Sequence, residues 1–109
     1  MNVEYIIVLI TCPNKEVSEE VANALLDQKL AACVNMMTPV TSLYTWEGEI
    51  NRDEEMLLIV KSRADLFEKD LIPAVKAIHP YDVPEIIALP IIMGSEDYLG
   101  WIKDVTRQD

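Results

Sequence analysis

Two five-residue runs in this chain, Ile6-Ile7-Val8-Leu9-Ile10 and Met56-Leu57-Leu58-Ile59-Val60, are apolar at every position. A strand with one wet face alternates apolar and polar residues, so runs of this kind belong to strands covered on both faces. What surrounds them says how much cover the chain itself can supply. Pro13-Asn14 marks a turn and a helix start, and Val17, Val21, Ala24, Leu25 and Leu26 recur near helical spacing up to about Lys29. Ala31 to Trp46 is rich in β-branched and aromatic residues, Glu47-Gly48 interrupts it, and Met56 to Val60 resumes it, which predicts a long hairpin. Ser62 with Asp65 resembles a capping box, and Phe67, Leu71, Ala74, Val75 and Ile78 line one helical face that Pro73 kinks or divides. Glu85 to Met93 reads as a fourth strand, and Ser95 caps a last helix with Tyr98, Trp101, Ile102 and Val105 on one side.

The order β-α-β-β-α-β plus a C-terminal helix predicts an α+β fold, the ferredoxin-like split βαβ, with an antiparallel sheet in spatial order 4-1-3-2. The prolines agree with it. Pro39 falls in the second strand and Pro90 in the fourth, while the first and third have none, as expected if only edge strands tolerate a missing N–H. Two crossover helices cover one face of such a sheet. The terminal helix is too short to cover the other, so the sequence predicts association with further copies of the chain.

Length and charge bound the rest. The 109 residues make one domain, 1–109, with half of them hydrophobic. A net charge of −10 argues against a phosphate-backbone partner, which clustered Lys and Arg would have to hold, and favours cations. No apolar run reaches the ~20 residues of a membrane span. Glu4 interrupts the N-terminus before a signal-peptide core forms, which makes the cytoplasm the default location. Cys12 and Cys33 lack C-x-x-C spacing and lie at opposite ends of the predicted sheet, so a disulfide between them is not expected and Cys33 reads as a small buried hydrophobe.

Chemistry concentrates in one stiff corner, His79-Pro80-Tyr81-Asp82-Val83-Pro84-Glu85, where two prolines restrict the backbone and hold side chains still. His79, the only histidine, either ends the preceding helix, where its charge suits the dipole, or presents its imidazole to a ligand. Topology brings the end of the first strand, the hairpin tip and the start of the fourth strand to one end of the sheet. Cys12, Tyr44, Trp46 and the His79 corner therefore converge. Cys12 and His79 suit copper or zinc, with Glu85, Asp82, water or a neighbouring subunit completing the shell. Tyr44 and Trp46, at i and i+2, share a strand face and either pack or stack on a ligand. Lys61 ends an apolar strand at the opposite end, as a surface stop or the positive charge of an anion pocket that reaches His79 only across a subunit boundary. No nucleophile motif, phosphate loop or paired-carboxylate arrangement is present, so nothing points to catalysis.

The motifs Leu30-Ala31-Ala32-Cys33-Val34-Asn35, Ser42-x-Tyr44-x-Trp46-Glu47-Gly48, Lys61, His79-Pro80-Tyr81-x-Val83-Pro84-Glu85 through Pro90, and Tyr98-Leu99-x-Trp101 span nearly the whole chain. Together they resemble the CutA divalent-cation-tolerance family. The resemblance implies a ferredoxin-like homotrimer similar to the PII signalling proteins, binding of copper or other divalent cations, and a role in metal tolerance. His79 matches the family's His-Pro-Tyr histidine. Ile78 stands where some bacterial members carry a second histidine, and Ile10 where the family's metal-linked thiol lies, two positions before Cys12. A second reading follows from the same resemblance: a PII-like signalling trimer that binds a small ligand between subunits and acts through a protein partner, with Tyr44, Trp46, Lys61 and Tyr81 at the ligand or the interface.

Overall fold

The computed structural model describes residues 2–108, so the two end residues of the expected 1–109 unit lie outside the described residues. Strand β1 (Tyr5–Cys12) leads through Pro13 into α1 (Lys15–Asp27). Asn14 caps that helix, its Oδ1 accepting the Val17 N–H at 2.9 Å. Strands β2 (Cys33–Trp46) and β3 (Glu49–Arg63) form the hairpin. Its two turn residues, Glu47 and Gly48, both have positive φ, at 52° and 79°, the twist that a two-residue hairpin loop demands and that glycine adopts freely. A 3-10 turn (Ala64–Leu66), a π turn (Phe67–Leu71) and the short helix α2 (Ile72–Lys76) follow, then β4 (Ile86–Pro90) and α3 (Glu96–Val105).

The sheet is antiparallel in order β2-β3-β1-β4, the arrangement expected of a ferredoxin-like α+β fold. Both strand prolines sit on edges: Pro39 falls where the β2–β3 register shifts between Met37 and Val40, and Pro90 ends β4. Alternate residues of β1 and β3 (Ile6, Val8, Ile10, Cys12; Met56, Leu58, Val60) pack with Val21 and Leu25 of α1, Leu71 and Val75 into the core. The other parity, Ile7, Leu9, Leu57 and Ile59, continues across the sheet into Ile87 and Leu89 of β4, which are 51% and 46% exposed. One face is covered by helices, and the other is an apolar surface left open in the single chain.

Several elements differ from the sequence reading. The hairpin's second strand begins at Glu49 and not at Met56, because beyond the Cys12–Met56 pair β2 and β3 run on alone as a two-stranded arm. Burial imposes no pattern there, so Asp53 and Glu54 are accepted while Leu43 and Ile50 stand 68% and 81% exposed. The arm stretches the molecule to 44 Å against 27 and 24 Å. Ser62 is no cap. It lies within β3, one residue before the strand's end, with its hydroxyl donating to the Leu30 carbonyl at 2.6 Å, and Arg63 precedes the 3-10 turn without a side-chain cap bond. Pro73 falls in the first turn of α2 after the chain has passed through 3-10 and π turns, so the predicted helix is divided. The fourth strand stops at Pro90, with one further bond from Ile91 N–H to the Tyr5 carbonyl. On α1 Leu26 is exposed, and on α3 only Ile102 is buried, with Tyr98, Trp101 and Val105 partly open to solvent. Cys33 is half-buried on the open face, cross-strand from Lys61, and both cysteines are free.

Candidate functional site

The corner after α2 is held by its histidine. The His79 Nε2 lies 2.7 Å from the Thr11 carbonyl, which can only accept, and Nδ1 takes the Tyr81 N–H at 3.2 Å. The ring is therefore the neutral Nε2–H tautomer, buried, with both nitrogens spent on backbone. Its face tilts against the Tyr81 ring with centroids 4.7 Å apart. Tyr81 is thus swung across the end of β1 onto β3, where its hydroxyl donates to Oε2 of Glu55 at 2.8 Å. Burial, then the Glu55 bond, push the Tyr81 phenol far above its ordinary value, so it stays a donor.

On the arm, Tyr44 and Trp46 share a face with Ser42, and the Tyr44 hydroxyl donates to Asp53. That bond, ahead of burial, raises the Tyr44 pKa. Between this face and the loop from Tyr81 to Glu85 lies a cleft of about 640 Å³. Tyr44, Trp46, Tyr81 and Glu85, four of the seven residues expected to act, line it together with Asp82 and Glu55. His79 stands behind the cleft wall as a brace.

Cys12 and Lys61 do not join them. The Cys12 side chain belongs to the alternate set of β1 that faces the helices, in the core, and burial raises its thiol pKa above 9.0, with Ser18 opposing and Glu55 adding to the rise. Lys61 is paired with Ile7 near the start of β1, at the far end of the open face, where its Nζ donates to Asn35 Oδ1. Among the described residues, no three His, Cys, Asp or Glu side chains gather as a metal-ligand set. With both imidazole nitrogens engaged and the thiol disfavoured as thiolate, His79, Cys12 and Glu85 as placed are not a preassembled copper site.

Glu55 is the residue that sequence reasoning missed. It is only 7% exposed, and no Lys or Arg pairs with it among the described residues. Its signal was its parity: Glu55 precedes Leu57 and Ile59 on the open face, where a solvated charge is out of pattern.

The sequence model of the family described as CutA1 divalent ion tolerance protein matches residues 6–105. A protein from Thermus thermophilus named divalent-cation tolerance protein CutA is 50% identical over 100 residues, 92% of this chain and 96% of that protein. The chloroplastic protein CutA of Arabidopsis thaliana is 50% identical over 102 residues, 94% of this chain and 56% of the plant protein, so the chain spans little more than half of that relative. The crystal structure of CutA1 from Oryza sativa superposes with a TM-score of 0.93 at 48% identity, covering 98% of this chain and 97% of the rice chain.

Proposed function

The chain belongs to the CutA1 divalent ion tolerance family, and on that premise we propose that it serves divalent-cation tolerance as a cytoplasmic homotrimer and not as an enzyme. The observation that carries the assembly is the open sheet face. Ile7, Leu9, Leu57, Ile59, Ile87 and Leu89 form one apolar surface on a chain of net charge −10, and a soluble protein with such a surface buries it against a partner. A further copy offers the same apolar patch, and closed symmetry lets all copies bury it at once. The excess of carboxylates supports attraction of cations, copper among them.

Copper held by His79, Cys12 and Glu85 is the finer form of this proposal, and it requires the imidazole to give up one of its backbone partners. Titration of Cu(II) at physiological salt into the parent, His79→Ala and Cys12→Ser tests it. The expected result is modest affinity that drops in both variants and weakens as pH falls, since thiolate and neutral imidazole are the coordinating forms. Equal affinity in all three means the corner is structural.

The cleft favours a second reading, a PII-like trimer that takes up a small ligand beside the subunit boundary and signals to a protein partner. Its support is the convergence of Tyr44, Trp46, Tyr81 and Glu85 on one concave surface of ligand size.

A further inference from the structure

The open sheet face carries its charges at its two ends. Along β3 the side chains on that face run Asp53, Glu55, Leu57, Ile59 and Lys61, so carboxylates stand at the arm end, an ammonium at the far end, and apolar groups between. Arg63, next in the row, is already committed, its guanidinium bonded to Asp65, Thr106 and the Arg107 carbonyl. Glu55 and Lys61 are six residues apart on one extended strand, about 20 Å at the rise of a β-strand. They cannot meet within one chain. Glu55 accepts the Tyr81 hydroxyl on Oε2, and Lys61 donates to Asn35 on the adjacent strand. Each of these bonds uses part of the group's capacity, since a carboxylate offers about four acceptor sites and an ammonium has three donors.

We propose that in the assembled protein Glu55 of each copy pairs with Lys61 of the next, a head-to-tail contact that sets how the open faces lie on one another. The inference rests on the homotrimer reading above and adds its register. The apolar centre of the face drives burial, but attraction of that kind has no direction and is satisfied in many registers. The charged ends choose among them. Packing like end on like end sets carboxylate against carboxylate and ammonium against ammonium where water is withdrawn, which is costly. Setting the arm end of one copy on the far end of the next puts each carboxylate on an ammonium. In a three-fold ring that offset repeats from copy to copy and closes, so every copy gives and receives one pair. The arm has the reach for it. Beyond the Cys12–Met56 pair it runs on outside its own sheet, stretching the molecule to 44 Å, and a two-stranded ribbon standing alone in water is marginally stable. A neighbouring copy beneath the arm gives it the support that its own sheet does not.

The test is charge reversal, read by sedimentation velocity across a dilution series, with far-ultraviolet circular dichroism showing that each protomer is folded. The variants are Glu55→Lys, Lys61→Glu, the two together, and Glu20→Lys on the exposed face of α1 as the control for net charge. Each single reversal is expected to raise the concentration at which the oligomer dissociates by about tenfold or more. The double reversal is expected to recover most of that loss, and Glu20→Lys to leave assembly unchanged. Single reversals without effect, or a double variant whose loss is the sum of the two, would overturn the pair and leave the homotrimer reading standing. Equal weakening in Glu20→Lys would reduce the effect to net charge and overturn the pair as well. A parent that is monomeric at every concentration overturns both. Where a reversal unfolds the protomer, Glu55→Gln, Lys61→Met and their combination make the same comparison without adding a charge: coupled losses are expected, and additive losses overturn the pair.

Discussion

The imidazole of His79 donates from Nε2 to the Thr11 carbonyl at 2.7 Å, joining residues 68 positions apart and tying the Pro80–Pro84 corner to the last turn of backbone in β1. The bond decides which way Tyr81 leans and therefore where one wall of the cleft stands. His79→Ala removes this bond and the Tyr81 N–H acceptor together from a buried position. It is expected to lower stability by about 1–3 kcal/mol, the range for leaving buried polar groups unpaired. Urea denaturation of parent and variant checks this, and an unchanged midpoint would remove the histidine from the structural account.

Alkali should destabilise the protein through two groups, the buried Cys12 thiol and the Tyr81 phenol that leans onto Glu55. The Cys12 thiol and the Tyr81 phenol both titrate above their ordinary values of 9.0 and 10.0, because burial disfavours their anions. The native state therefore holds these protons more tightly than the unfolded chain does. The stability they contribute is fully present below the unfolded values and is lost as pH rises through the native ones. Melting temperature is expected to fall steadily above about pH 9. Cys12→Ala with Tyr81→Phe should flatten that fall, and a slope identical to the parent's would contradict the assignment.

The arm and the open face are expected to serve assembly. Trp46→Ala should weaken the oligomer, since apolar area withdrawn from water contributes roughly 25 cal/mol per Å². Ile59→Lys places a charge in the middle of the open sheet face and should dissociate it while leaving the protomer's helical circular dichroism intact. Sedimentation velocity of the two variants separates the contributions. An unaltered sedimentation coefficient for Ile59→Lys would place the interface elsewhere.

The fold was legible because burial writes itself into sequence. Ile6 to Ile10 and Met56 to Val60 announced strands apolar on both faces, and Pro39 and Pro90 marked the two edges. Where burial is absent, so is the signal: Asp53 and Glu54 sit in a strand whose both sides face solvent, and Ile91 to Met93 look like strand yet leave the sheet after Pro90. Ser62 satisfied the spacing of a cap, but the competing acceptor, the Leu30 carbonyl, comes from 32 residues away and local spacing carries no trace of it. The site was legible in part for the same reason. Tyr44, Trp46, Tyr81 and Glu85 were placed together by topology. That His79 would spend both nitrogens on backbone, and that Glu55 would be drawn under Tyr81, depend on side-chain directions that strand order alone does not set.

The central claim is that the open face of Ile7, Leu9, Leu57, Ile59, Ile87 and Leu89 is buried between copies of this chain. Multi-angle light scattering on the purified protein in dilute buffer, followed down to nanomolar concentration, tests it most directly. The account predicts a mass three times that of one chain across the series. A soluble, well-folded monomer at every concentration would contradict it.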